Sequence, residues 1–261
     1  MIRALLLAAA ALAVLAACAT TTPQPGQSGK TGMDRVSPVR AAEVNTRLGI
    51  GYLERNELEL AINKLQRALE FDPAHTPARV TLALIYEQLD RDRQAHEHLK
   101  QAIQQAPDDG GTLNTYAAFL CRQGDYQQAD EYYQRALEDP FYRTPEVALA
   151  NAGVCARNAG RPEEARSYLR RALEQNPEYP QALFELAQLY LEEGDALRAR
   201  AFLQRYEVVA GDAPDALLLG YRIESRLGNA VQADRYFKRL EAGFPDSSQA
   251  RELRQQPSNH D

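Results

Sequence analysis

Residues Glu146 to Tyr179 read EVALANAGVCARNAGRPEEARSYLRRALEQNPEY, and this stretch decides the fold. It opens as a helix of small and apolar residues around Gly153 and Cys155, then breaks at Gly160-Arg161-Pro162. A second helix follows, with Ala165, Leu169 and Ala172 at the 3.6-residue spacing of one face. Pro162 suits the first turn of that helix, where a missing N–H costs nothing. Pro177 stops it. The unit is therefore helix, turn, helix, too small to bury its apolar faces alone.

The unit recurs. One Ala returns at Ala61, Ala95, Ala129, Ala165, Ala199 and Ala233, at spacings of 34, 34, 36, 34 and 34. Seven residues later come Ala68, Ala102, Ala136 and Ala172, then Tyr206 and Leu240. Twelve residues earlier come Gly49, Ala83, Ala117, Gly153 and Ala187, with Tyr221 as a looser match. Small residues at these places let two helices cross closely. Leu65, Leu99, Tyr133, Leu169, Leu203 and Phe237 fill the space beside the crossing. Pro73, Pro107, Pro177 and Pro245 close units, and Pro140 is displaced by one.

This pattern resembles the tetratricopeptide repeat. The resemblance implies an all-α, right-handed superhelical solenoid of about six units, at 42–75, 76–109, 110–145, 146–179, 180–213 and 214–247. Unit three carries two extra residues within EDPFYRTPEV, making Asp139 to Pro145 a longer loop. In unit six, Tyr221 and Glu224 replace a small and an aromatic residue, as expected of a terminal unit with a solvated side. A short capping helix after Ser247 completes a solenoid over 41–254, with 255–261 a frayed tail.

The N-terminal region is of another kind. Ala4 to Ala17 is an apolar run, too short for a bilayer span and suited to a signal peptide over 1–17. It ends in Leu15-Ala16-Ala17-Cys18, which fits a bacterial lipoprotein signal, with Cys18 acylated as the new N-terminus. Ala19 follows the Cys; an Asp there would favour retention in the inner membrane, so the expected address is the outer membrane, facing the periplasm. Several acyl chains hold a protein stably, each buried CH₂ adding about 0.8 kcal/mol. Residues 18–40, rich in Thr, Pro, Gly, Gln and Ser, read as a tether.

No enzyme signature is present. There is no HExxH, phosphate loop, Gly-x-Ser-x-Gly or CxxC. His96 and His98, two apart, point to different sides of a helix and are expected on a solvated face. Acidic and basic residues interleave, as in RPEEARSYLRRALE, which reads as a salt-bridged surface. No cofactor, metal or small-molecule substrate is expected. The net charge of −6 argues against nucleic acid as the main partner.

What remains is a concave groove that takes a peptide. First-helix positions facing it include Thr46, Ile50, Leu53, Val80, Leu84 and Glu87 in units one and two. Further along they include Asn114, Ala118, Arg122, Val154 and Arg157, then Phe184, Gln188, Leu191, Leu218 and Arg222. The N-terminal stretch is the more apolar. Ile50, Leu53, Val80 and Leu84 have no packing role inside their units, so they are candidates for holding an apolar segment of a partner, or for packing against neighbouring units.

Cys121 and Cys155 stand in the first helices of units three and four. Cys155 faces the preceding unit, so the pair can reach the 4.4–6.8 Å Cα separation of a disulfide. Two separate buried thiols are the alternative. The stretches FLC, DPFYRTPE and NAGVCA, with ARAFLQRY further on, resemble the type IV pilus biogenesis lipoproteins of the PilF and PilW family over about residues 42–250. That resemblance implies a pilotin: a lipid-anchored scaffold that binds the outer-membrane secretin and promotes its localisation and multimerisation. The rival reading is a repeat lipoprotein that assists outer-membrane protein assembly or coordinates envelope enzymes.

Overall fold

The computed structural model describes residues 37–255, all of whose regular structure is helical. The signal, Cys18, most of the expected tether and residues 256–261 lie outside the described residues. Six antiparallel helix pairs follow one another: α1 Pro38–Glu54 with α2 Leu58–Phe71, α3 Thr76–Gln88 with α4 Asp92–Gln105, and α5 Gly110–Arg122 with α6 Tyr126–Glu138. Next come α7 Pro145–Asn158 with α8 Pro162–Gln175, α9 Pro180–Glu192 with α10 Ala196–Ala210, and α11 Pro214–Arg226 with α12 Ala230–Gly243. A last helix, α13 Ser248–Gln255, packs on α11 and α12. α1 begins at Pro38, inside the stretch read as tether, because Ala42 and Thr46 are buried beneath the first pair and carry the helix back towards Pro38.

Each pair closes in the same way. The residue just before the second helix donates its N–H five residues back: Glu57 to Tyr52, Arg91 to Tyr86, Asp125 to Leu120, Arg161 to Ala156, Asp195 to Tyr190 and Asn229 to Glu224, all at 2.8–2.9 Å. That bond needs a left-handed residue just before it. Gly124 and Gly160 supply it in units three and four. Asn56 and Asp90, at φ 58° and 56°, hold the same place in the first two units, being among the few side chains that tolerate it.

The core is the line of crossings. Ala61, Leu65, Ala95, Leu99, Ala129, Tyr133, Ala165 and Leu169 are buried throughout. Gly153 shows why the crossing residue is small: a Cβ there would lie 2.7 Å from Cγ of Leu169. In the sixth pair this close contact falls one residue earlier than the repeat count predicts. Gly220 meets the Tyr236 ring, where a Cβ would come within 2.4 Å, and Tyr221 is only half-buried against α13. The large Tyr236 ring needs the glycine, so the helix turns to present it.

Glu224 is not on a solvated side. It is buried at the place Tyr190 holds in unit five, and its carboxylate accepts two hydrogen bonds from Arg200, at 2.7 and 2.6 Å. α13 covers the outer face instead, through Ala250 and Leu253.

Candidate protein-binding surface

The first helices α1, α3, α5, α7, α9 and α11 lie side by side, each touching the next but one element along the chain. Their groove-facing side chains bond one another across units. Glu87 of α3 accepts from Arg122 of α5 at 2.7 Å. Asn151 of α7 donates to Asn114 of α5 at 3.2 Å and accepts from Gln181 of α9 at 3.3 Å. Arg157 of α7 donates to Gln188 of α9 at 2.7 Å and pairs with Glu185, 3.1 Å away. Burial pushes the Glu185 carboxyl above the usual carboxylate range, against the pull of Arg157.

The six groove candidates of the first two units therefore separate. Thr46 is buried, and Leu53 packs half-buried against the first core, so both serve the fold. Val80 is half-buried, and Glu87 is engaged with Arg122. Ile50 and Leu84 stay open, at 37% and 41% exposure. They hold the same place one repeat apart. Along the array that place runs Ile50, Leu84, Ala118, Val154 and Gln188. The groove thus grades from apolar side chains in the first two units to a polar network in units three to five. Farther along, Leu218 is buried beneath α13 and faces no groove, whereas Arg222 is exposed and pairs with Glu252. The Asn114–Asn151–Gln181 chain is not legible in the sequence, because its members sit at different repeat positions and only the stacking brings them together.

Cys121 and Cys155 are both buried, with Cα atoms 5.7 Å apart, inside the range a disulfide spans. They stand on α5 and α7, on either side of the junction that carries the inserted loop.

The histidines lie against aromatic rings. His96 shares a 2.8 Å hydrogen bond with the Tyr116 hydroxyl and stacks on Tyr116 and Phe119. His98 stacks on Tyr86, and its Nδ1 is buried without a partner. The expectation of a solvated face fails here because α4 packs against both α3 and α5. Burial lowers the pKa of both rings, with Lys100 adding to the effect on His96 and Arg79 on His98. Among the described residues, no group of three or more His, Cys, Asp or Glu side chains is placed to hold a metal ion. No described helix is long and apolar enough to cross a membrane.

A stack of helix pairs with one continuous side-chain face defines a tetratricopeptide-repeat scaffold, a class whose members bind other proteins. Tetratricopeptide-repeat family models match residues 52–109, 117–140 and 156–220. The crystal structure of PilW, described as a widely conserved type IV pilus biogenesis factor, superposes with a TM-score of 0.75 and 32% identity, over 81% of this chain and 97% of that one. The Pseudomonas aeruginosa type IV pilus assembly protein PilF is 27% identical over 92% of this chain and 93% of its own, and its structure superposes with a TM-score of 0.72. The chain belongs to the tetratricopeptide-repeat family of PilF and PilW.

Proposed function

We propose that this chain is an outer-membrane lipoprotein of type IV pilus biogenesis that binds the secretin and promotes its localisation and multimerisation. The observation that carries the reading is end-to-end likeness: the match to PilF and PilW spans more than nine-tenths of each relative. Cys18 in Leu15-Ala16-Ala17-Cys18 supplies the acyl anchor, and a bridge between Cys121 and Cys155 braces the body in the oxidising periplasm. The scaffold acts by holding its client, without catalysing a reaction.

The client's apolar segment lies over Ile50 and Leu84, and the polar part of the groove sets its direction. Both side chains are open, so charging them leaves the core untouched. The protein carrying Ile50→Asp and Leu84→Asp keeps the wild-type circular dichroism and melting temperature, yet loses capture of secretin fragments in a pull-down. Cells carrying it lack secretin multimers and twitching motility. Full capture by the double variant refutes the groove assignment. A general envelope defect with intact secretin multimers favours the outer-membrane assembly role instead.

A further inference from the structure

In the later units, one side of each helix pair is laid against the unit before it. Cys155 meets Cys121, and Asn151 and Glu185 meet Asn114 and Arg157 of the preceding first helices. The Tyr168 and Tyr236 hydroxyls donate to Asp130 and Glu207 of the preceding second helices. In unit one the same repeat places hold Gly51, Arg47 and Lys64, and no described helix precedes α1. Among the described residues this side is therefore open, whereas α13 closes the far end of the array. On α1 the open side runs Arg40, Val44, Arg47 and Leu48. On α2 it runs Leu60, Lys64, Arg67 and Phe71, again at the three- and four-residue spacing of one helix face. Its four apolar side chains are 37–47% exposed. The places of Val44 and Leu48 are held in unit two by Ala78 and Leu82, both buried. Leu60 stands where the later units carry Gln, Glu or Arg. Neither strip contains an acid. Arg67 is paired with Glu70, while Arg47 and Lys64 have no acidic partner among the described residues.

The covalent link to this end bears on what covers it. Nineteen residues, Ala19 to Ser37, join Cys18 to Pro38. They span at most about 65 Å, so α1 is the element held nearest an acyl anchor at Cys18. The apolar side chains on that link are Ala19, Met33 and Val36, too few to stand in for a preceding helix pair. We propose that the open side of unit one rests on the phospholipid surface in which Cys18 is anchored. Val44, Leu48, Leu60 and Phe71 enter the headgroup boundary, and Arg47 and Lys64 meet anionic headgroups, the division of labour of an interfacial amphipathic face. The inference rests on the acylation of Cys18 in the reading above. Once the anchor is inserted, the second contact is intramolecular, so a face of low intrinsic affinity suffices. The chain as a whole carries a net charge of −6, which turns its remaining surface away from an anionic leaflet. The body is thereby oriented, with the groove at Ile50 and Leu84 left free for its client.

Vesicle co-sedimentation of the mature chain, residues 18–261 with Cys18→Ser so that no acyl chain masks the result, tests it. At millimolar lipid the protein sediments with vesicles of phosphatidylethanolamine and phosphatidylglycerol, and added salt weakens the binding. Val44→Asp with Leu48→Asp lowers the partition coefficient roughly tenfold or more, and Arg47→Glu with Lys64→Glu does the same. These side chains are open, so circular dichroism and secretin capture stay at the wild-type value. The groove variant, Ile50→Asp with Leu84→Asp, sediments as the wild type does. A protein that stays in the supernatant, or a Val44→Asp, Leu48→Asp variant that partitions unchanged, overturns the proposal. So does a dimer in sedimentation velocity that this variant abolishes, because a second copy then covers the face. Palmitate labelling reads acylation of Cys18 and the pull-down reads secretin binding, so failure of the proposed function shows in measurements separate from this one.

Discussion

His98 is one ring in a row of equivalent positions occupied by Lys64, Tyr132, Tyr168, Phe202 and Tyr236. Two of these reach into the preceding unit: the Tyr168 hydroxyl donates to Asp130 at 2.7 Å, and that of Tyr236 to Glu207 at 3.0 Å. A histidine in that row carries a penalty in acid. Burial lowers the folded-state pKa of His98 and His96 below the usual value. The unfolded chain therefore binds protons that the folded chain refuses, and stability is lost as pH falls through about 6.5. Melting temperature should decline from pH 7 to pH 5. His98→Phe, which adopts the residue of unit five, should flatten that decline while leaving the value at pH 7 within a few degrees. An unchanged slope would show that burial of His98 does not set it. Glu185 works with the opposite sign. Its raised pKa means that the folded state gives up its proton later than the unfolded chain, so its charge opposes folding as pH rises above the ordinary carboxylate range.

At the scale of the helix, the joints between units differ in chemistry. The crossings inside the pairs are apolar, with small residues against Leu65, Leu99, Tyr133, Leu169 and Leu203. The joint between α10 and α11 instead buries the Glu224 carboxylate, held by Arg200. Removing one partner of such a pair leaves a charge in an apolar setting and costs about 3–5 kcal/mol, whereas replacing both with apolar groups is often neutral. Arg200→Met should lower the free energy of unfolding by about 3 kcal/mol in urea. Adding Glu224→Leu should recover most of it. A double variant as unstable as the single would mean that the loss came from packing of the Arg200 stem. Residue spacing alone makes this joint a solvated end, and for a plain reason. A lone Glu in a repeat column carries no mark of the arginine that will meet it from 24 residues earlier. The Gly220 shift is hidden for a related reason, since counting residues does not weigh the size of the Tyr236 ring.

At the scale of the whole molecule, the repeat length changes once, and the cysteine pair stands beside that change. The two extra residues fall between units three and four, and Cys121 and Cys155 stand on either side of that junction. A bridge across a sequence separation of 34 residues should stabilise the body by about 4 kcal/mol in the chain-entropy model. Two measurements check this. The intact mass of purified protein should rise by the hydrogens that reduction adds, and Cys121→Ser should melt where reduced wild type does. Equal masses with and without reductant would mean two separate thiols. The groove also belongs to this scale. Ile50 and Leu84 are neighbours because units one and two stack, and their openness is a property of the array.

The repeat and its all-helical character were determined by residue spacing alone. A recurring Ala and a turn residue at intervals of 34 or 36, with a closing Pro in most units, permit one local solution, and six such units can bury their faces only against each other. The proximity of the two cysteines followed from the same register. The stacking decided the rest: which groove residues stay open, that Thr46 and Leu53 sink into the core, that Glu224 finds Arg200, and that Asn114, Asn151 and Gln181 form a chain. Exposure and pairing depend on what the neighbouring helix places opposite a side chain. The distance to that helix is set by the bulk of every side chain in the joint, which no single repeat position records.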